Sequence, residues 1–369
     1  MIEFEADYGY YKTISILGQG FDGMMAVHLA KHLPTGRMIA LKRFNMDRIK
    51  EEAHLVEREI ILTRQLQHPN IISYYLAFVH AAEVWVVSSL MAYGSCKDLL
   101  TRYFNEGLPE AAIILILKDV LEALDYIHKK GFIHRAIRAS HILISASGKA
   151  CLTGLRYACP IVLNGKWQKT IHSFPSSTSS NLNWLSPELL EQNLQGYNEK
   201  SDMYSVGIVI CELANGHDPF AGMCTTLMLT EKVRGFVPQL LDCLTIPPVD
   251  DLDNSGMLCR FTCLTFQPEL TVLGDSELSG NVRHRKFSED LHDVADLCMQ
   301  RESYHRPTPC QLLTHPLFKA HKKAAPLQDL LKPALPMSDR VAYNTDDVTN
   351  LENINKLSQM ELYTCEWDF

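Results

Sequence analysis

The stretch His134-Arg135-Ala136-Ile137-Arg138-Ala139-Ser140-His141-Ile142-Leu143-Ile144-Ser145-Ala146-Ser147-Gly148-Lys149-Ala150-Cys151-Leu152-Thr153-Gly154-Leu155-Arg156 decides how the rest of the chain is read. It contains no Asp, Glu, Asn or Gln, while Arg135, Arg138, Lys149 and Arg156 are cationic. A segment of that make-up has no carboxylate with which to take a proton or hold a hard cation. The chain around it has 369 residues, above the size at which one hydrophobic core usually stops growing, so two packed lobes are expected. Apolar content of 46% with 21% charged residues is ordinary for a globular protein. The 35 basic and 43 acidic residues leave a net charge of −8, which offers no electrostatic footprint for nucleic acid or an anionic membrane.

Met1 to Tyr11 mixes acids with aromatics and has no apolar run, so no secretory signal is expected. The longest apolar stretch, Ala111 to Leu117, is too short to span a bilayer. The 11 cysteines are scattered, and the closest pair, Cys259 and Cys263, has no second pair or His couple to complete a zinc site. A soluble intracellular protein with reduced thiols is expected.

Upstream of the opening stretch, residues 11 to 42 alternate and turn as a β-meander with strands at Tyr11–Leu17, Met25–Ala30 and Met38–Lys42. Gly18-Gln19-Gly20-Phe21-Asp22-Gly23 fits G-x-G-x-x-G, but it feeds another strand, whereas the dinucleotide fingerprint opens a helix in a parallel βαβ unit. Ile39-Ala40-Leu41-Lys42 precedes a helical pattern over 46–67, with Leu55, Glu59, Leu62 and Leu66 at helical spacing and His68-Pro69-Asn70-Ile71 behind it. Val79–Val87 reads as a hairpin and Ser88–Ala92 as a connector. Downstream, Pro109–Lys130 is a strongly amphipathic helix stopped at Gly131. Trp184-Leu185-Ser186-Pro187-Glu188 follows, then Ser201-Asp202-Met203-Tyr204-Ser205-Val206-Gly207 opening an apolar helix closed by Gly216-His217-Asp218-Pro219-Phe220, then Tyr304-His305-Arg306-Pro307.

As an ordered set these landmarks resemble the protein-kinase domain over residues 11–320. The resemblance implies an α+β bilobal fold with a small β-rich N-lobe, 11–88, and a larger helical C-lobe, 93–320. An N-terminal extension, 1–10, a loop insertion, 243–286, and a C-terminal tail, 321–369, complete the chain. It implies that Lys42 holds the α and β phosphates and pairs with Glu59, with Glu57 as the partner if the register slips, and that Arg306 pairs with Glu188. Gly18 and Gly20 would cover the phosphates, Val27 and Ala40 would flank the base, and the hinge at Ser88–Ala92, including Ser89 and Met91, would meet it through backbone groups. The family's Val stands two residues after its third glycine, yet Met25 takes that spacing here and Val27 comes two later. The loop is therefore read as two residues longer, with Gly23 not the equivalent glycine. Asp98 stands where many kinases contact ribose, and equally where a helix N-terminus favours an acid.

In the same resemblance H-R-D-x-x-x-x-N and D-F-G supply the catalytic base and two magnesium ligands. Those positions are Ala136, His141 and Gly154, so no catalytic residue and no metal site is expected. His134 and His141 together lack the carboxylate or cysteine that would complete a zinc or manganese site. Lys42, Arg138, His141 and Arg156 could face the phosphates and neutralise ATP in place of magnesium. The alternative is that Arg138 and Arg156 pair with Glu59 or Glu188.

H-R-A-I-R-A-S-H-I-L-I, Gly154-Leu155-Arg156, Met91-Ala92-Tyr93-Gly94-Ser95, Trp184-Leu185-Ser186-Pro187-Glu188 and the terminal Trp367-Asp368-Phe369 resemble the STRAD pseudokinases, the sterile-twenty-related adaptors. That resemblance implies an inactive adaptor that activates a liver kinase B type serine/threonine kinase; the cationic pocket residues predict ATP binding without a magnesium requirement, and the alternative is a weakly active atypical kinase. It also implies a mouse protein 25 type helical-repeat scaffold that captures Trp367, Asp368 and Phe369, no nucleic acid or membrane partner, and a cytoplasmic location with the nucleus as a second compartment. The family tail usually reads Trp-Glu-Phe, so Asp368 shortens one acidic arm.

Overall fold

Strands form where the sequence alternates, and each runs further than the alternation alone suggests: β1 (Tyr11–Gly20), β2 (Met25–His32) and β3 (Met38–Asn45). The computed structural model describes residues 4–20, 23–174, 179–192, 194–245, 284–320 and 325–337. β4 (Tyr74–His80) and β5 (Glu83–Ser88) complete an antiparallel sheet in the order β1-β2-β3-β5-β4. The hairpin thus begins at Tyr74 and not at Val79, because a bulge between Tyr74 and Leu76 breaks the period of two by which sequence reveals a strand. Alternation along the strands builds two cores. Met25, Val27, Phe44 and Val86 pack on one face, and Ile39, Leu41, Trp85 and Val87 on the other.

The helical pattern over 46–67 divides in two. Asn45 caps α1 (Met46–Ile49), its side chain accepting from Arg48 N–H, and Lys50, at φ 38°, ends it. A 3₁₀ turn then leads into α2 (Ala53–Gln65), which buries Leu55, Val56, Glu59, Leu62 and Thr63. Leu55 and Val56 belong to the same apolar cluster as Met25 and Val27. Glu59 is the charged member of that buried stripe, which marks it for a polar partner.

The described residues fall into two compact units, and neither is one continuous stretch. The first takes the chain up to Leu99, Ser140–Tyr157, and the residues from Pro326 on. The expected boundary between contiguous lobes at 88–93 is therefore replaced by a more interleaved one. The cause is pairing: Gly94–Ser95, Ile142–Ile144 and Ala150–Leu152 form a three-stranded sheet, and Leu152 N–H donates to the Asn70 carbonyl at 2.8 Å.

The second unit takes Leu100–Ala139 and Ala158–Ala325. Helix Glu110–Lys129 buries Ile113, Ile116, Leu117, Val120, Leu121, Leu124 and Ile127, and at about 1.5–3 kcal/mol per buried aliphatic side chain this stripe outweighs helix propensity. Gly131 follows it at φ +81°, where a Cβ would lie 2.7 Å from Val162 Cγ2, so only glycine fits the turn. Helix Lys200–Asn215 is buried from Ser201 to Asn215. At its start Asp202 accepts from His134 N–H and Arg135 N–H, both at 2.8 Å, and stands 2.8 Å from His128 Nε2. Arg306 meets Glu188 in a bidentate pair, 2.6 and 2.9 Å. Cys243 N–H donates to the Arg285 carbonyl at 2.9 Å, drawing the ends of the insertion together; its residues 246–283 lie outside the described ones.

Candidate functional site

β3 carries Lys42 and α2 carries Glu59, and the packing of helix on sheet brings Lys42 Nζ to 2.5 Å from Glu59 Oε1 with both side chains 1% exposed. Glu59, and not Glu57, is the partner. Tyr74 from β4 completes a triangle: Lys42 Nζ donates to its hydroxyl at 2.6 Å, and that hydroxyl donates to Glu59 Oε1. Burial drives the Lys42 ammonium down to about 8; the Glu59 carboxylate opposes that fall and the positive Arg156 adds to it. Burial, followed by the charge of Glu59, raises the Tyr74 hydroxyl well above its ordinary value. Lys42 is therefore cationic at neutral pH, and Tyr74 stays a proton donor.

The opening stretch supplies the next residues. Arg156 places its guanidinium 3.8 Å from Glu59 Oε2 and 4.9 Å from the centre of the Tyr157 ring. This is the alternative pairing that the sequence left open for it. The Arg138 guanidinium donates to the Ser180 carbonyl at 2.8 Å and lies over the Trp184 ring at 5.5 Å, within the second unit. A cation–π contact and a carbonyl thus engage the Arg138 guanidinium.

Gly154 has φ +90°, and a Cβ built on it would lie 2.9 Å from Nδ1 of His141 and 3.1 Å from its Cγ. The imidazole thus fills the space that a longer side chain at 154 would need. Ala136 is 1% exposed, in the second unit. These positions present no carboxylate or amide oxygen, and magnesium prefers oxygen ligands, so they do not fit a resident magnesium ion. Among the described residues no group of three or more His, Cys, Asp and Glu could hold a metal. Asp98 accepts from Ser95 N–H at 3.0 Å and Ser95 Oγ at 2.6 Å, the helix N-terminal role.

Leu17, Val27, Ala40, Lys42, Ile72, Ser88, Ser89, Met91 and Leu143 line a narrow cleft in the first unit. Aliphatic side chains with one ammonium among them are the kind of chemistry that a base and its phosphates need. Val27, Ala40, Lys42, Ser89 and Met91, with Ser88 as the start of the hinge, were legible in the sequence; Leu17, Ile72, Leu143 and Tyr74 were not. Leu143 had a usable signal, since a short aliphatic run ahead of a glycine turn reads as a strand. Gly18 pairs with Val27 and Gly20 with Met25, while Gly23, at φ +79°, donates its N–H to the Gly20 carbonyl at 3.1 Å. That register fits the longer loop; Phe21 and Asp22 at its tip lie outside the described residues, as do Trp367, Asp368 and Phe369. No helix among the described residues is long and apolar enough to cross a membrane.

The protein kinase domain family matches residues 11–318. The human STE20-related kinase adapter protein alpha is 42% identical over 386 aligned positions, covering 100% of this chain and 86% of that protein. The bovine alpha protein is 40% identical over 381, covering 100% of both. The human beta protein is 37% identical over 344, covering 92% of this chain and 81% of that protein.

The chain belongs to the STE20-related kinase adapter family. As such an adapter it pairs two sets of features. The lysine–glutamate pair of the kinase domain is formed and buried. Ala136, His141 and Gly154 offer no carboxylate and no amide side chain.

Proposed function

We propose that this chain is a catalytically inactive pseudokinase that binds ATP and, in that state, activates a liver kinase B type serine/threonine kinase within a complex organised by a mouse protein 25 type scaffold. The observation that carries the reading is the Lys42–Tyr74–Glu59 triangle beside the Gly154–His141 contact. A kinase uses the lysine–glutamate pair to set phosphates for transfer, and transfer depends on magnesium neutralising the developing charge. Here the pair is formed while Ala136, His141 and Gly154 offer no oxygen side chain to a metal, so the retained geometry would serve a shape. Lys42 and Arg156 bring two cationic side chains to the Glu59 carboxylate, and cations of that kind suit an anionic phosphate. Trp367, Asp368 and Phe369 would dock the scaffold through two aromatic anchors and an acidic group. The protein would act in the cytoplasm and, as a second compartment, the nucleus.

Reconstitution tests this directly. Purified full-length chain should raise the activity of the partner kinase, lose that effect on Lys42→Ala, and transfer no phosphate itself. Phosphotransfer that is abolished by Lys42→Ala would establish the weakly active kinase instead.

A further inference from the structure

The kinase-domain match ends at residue 318, yet the chain returns to the first unit after it. Residues 325–337 begin with a short helix, Leu327–Leu330, and Leu327, Leu331 and Ala334 are buried. Gln328 Nε2 donates to the Ala146 carbonyl at 3.3 Å. The turn beneath is shaped for this: Gly148 has φ +74°, and a Cβ there would lie 2.7 Å from Gln328 Oε1 and 3.3 Å from Leu327 Cβ. At its far end Met337 donates its N–H to the Ala92 carbonyl at 2.7 Å. The Met337 side chain, like that of Leu17, packs against the apolar cluster that contains Val27, Ala40, Ile72, Met91 and Leu143, residues that also wall the cleft.

We infer that residues 325–337 are a strap built into the nucleotide site, which fixes the hinge backbone at Ala92 and supplies Met337 as a positioning residue for the bound base. This rests on the nucleotide reading of the cleft. The physical reason is the nature of the hinge. It recognises a base through backbone groups, so its affinity depends on how firmly that backbone is held, and residue 92 adjoins Met91 in the cleft wall. A tie made by a main-chain hydrogen bond and an adaptable thioether side chain holds it without intruding on the base.

The test uses full-length chain with Met337→Ala and Met337→Asp, read by amide hydrogen exchange over residues 88–95 and by the affinity for trinitrophenyl-ATP. Met337 is only partly buried, so neither change threatens the fold. Both variants should exchange about tenfold faster across the hinge, with helix Glu110–Lys129 unaffected. They should also bind the nucleotide roughly five- to tenfold more weakly. Unchanged hinge exchange and unchanged affinity, with the wild type binding normally, overturn the strap alone. Faster exchange with unchanged affinity overturns the positioning role. A wild type that binds no nucleotide overturns this inference together with the nucleotide reading beneath it.

Discussion

Replacing Glu59 by Gln keeps the shape of the Lys42, Tyr74 and Arg156 cluster and removes its negative charge. The two cations respond differently. Burial pushes the folded Lys42 ammonium from 10.5 to about 8. At pH 7 the folded chain therefore carries that charge at a cost of about 3 kcal/mol relative to the unfolded chain. Without Glu59 the group falls further, and once it lies below the solution pH the proton leaves, which caps the cost at about 5 kcal/mol. Lysine thus contributes only about 1–2 kcal/mol of the deficit. Arg156 has no such escape, and its share is about 1–3 kcal/mol, the cost of a buried charged group that loses its compensation. The variant should be about 2–5 kcal/mol less stable at pH 7. The folded value for Lys42 lies below the unfolded one, so its cost is fullest below about pH 8 and is relieved as pH rises from there towards 10.5. At pH 9 the lysine is largely neutral in both proteins, and the deficit should narrow by about 1 kcal/mol. Urea denaturation followed by tryptophan fluorescence at pH 7 and pH 9 measures this. A variant as stable as wild type at pH 7, or a deficit that widens at pH 9, would refute the shared-carboxylate account.

Gly154→Asp should lower the unfolding free energy by about 2–4 kcal/mol, because its side chain meets His141 and its φ is left-handed. Adding His141→Ala should return the steric part and leave about 1–2 kcal/mol of backbone strain, measured by thermal denaturation of the single and double variants. Arg306→Ala removes the bidentate partner of Glu188 and should cost about 3–5 kcal/mol by the same assay. Lys232 is buried and pushed down to about 7, donating to the carbonyls of Leu182, Asn183 and Leu185. Its folded value lies below its unfolded one, so wild-type stability should climb between about pH 7 and pH 10, and Lys232→Met should flatten that climb in denaturation curves taken across the range.

What the sequence disclosed and what it hid divide on physical lines. Repeating chemistry was visible: the alternation of β2 and β3, the stripe along Glu110–Lys129, and the offset from Lys42 to Glu59 that depends on a strand, a helix and one turn. Contacts set by tertiary approach were not. Tyr74 sits in a strand whose bulge conceals its period, and nothing local says that its hydroxyl reaches Lys42. Arg138 had two acids in prospect, and its contacts with the Ser180 carbonyl and the Trp184 ring were not foreseen, because a guanidinium is satisfied by several chemistries and sequence does not rank them. After the domain the sequence shows only a short apolar run near Pro326–Leu331, and only the fold shows that Met337 reaches the hinge. The reading of Gly154 was of a lost acid. The structure adds that His141 has taken the space.

The central claim is a nucleotide cleft that works without a metal. Calorimetric titration of ATP into the full-length chain, once with magnesium and once with excess EDTA, tests it most directly. The account predicts saturable binding in both, with dissociation constants within about twofold of each other. Binding that appears only with magnesium, or in neither condition, would contradict it.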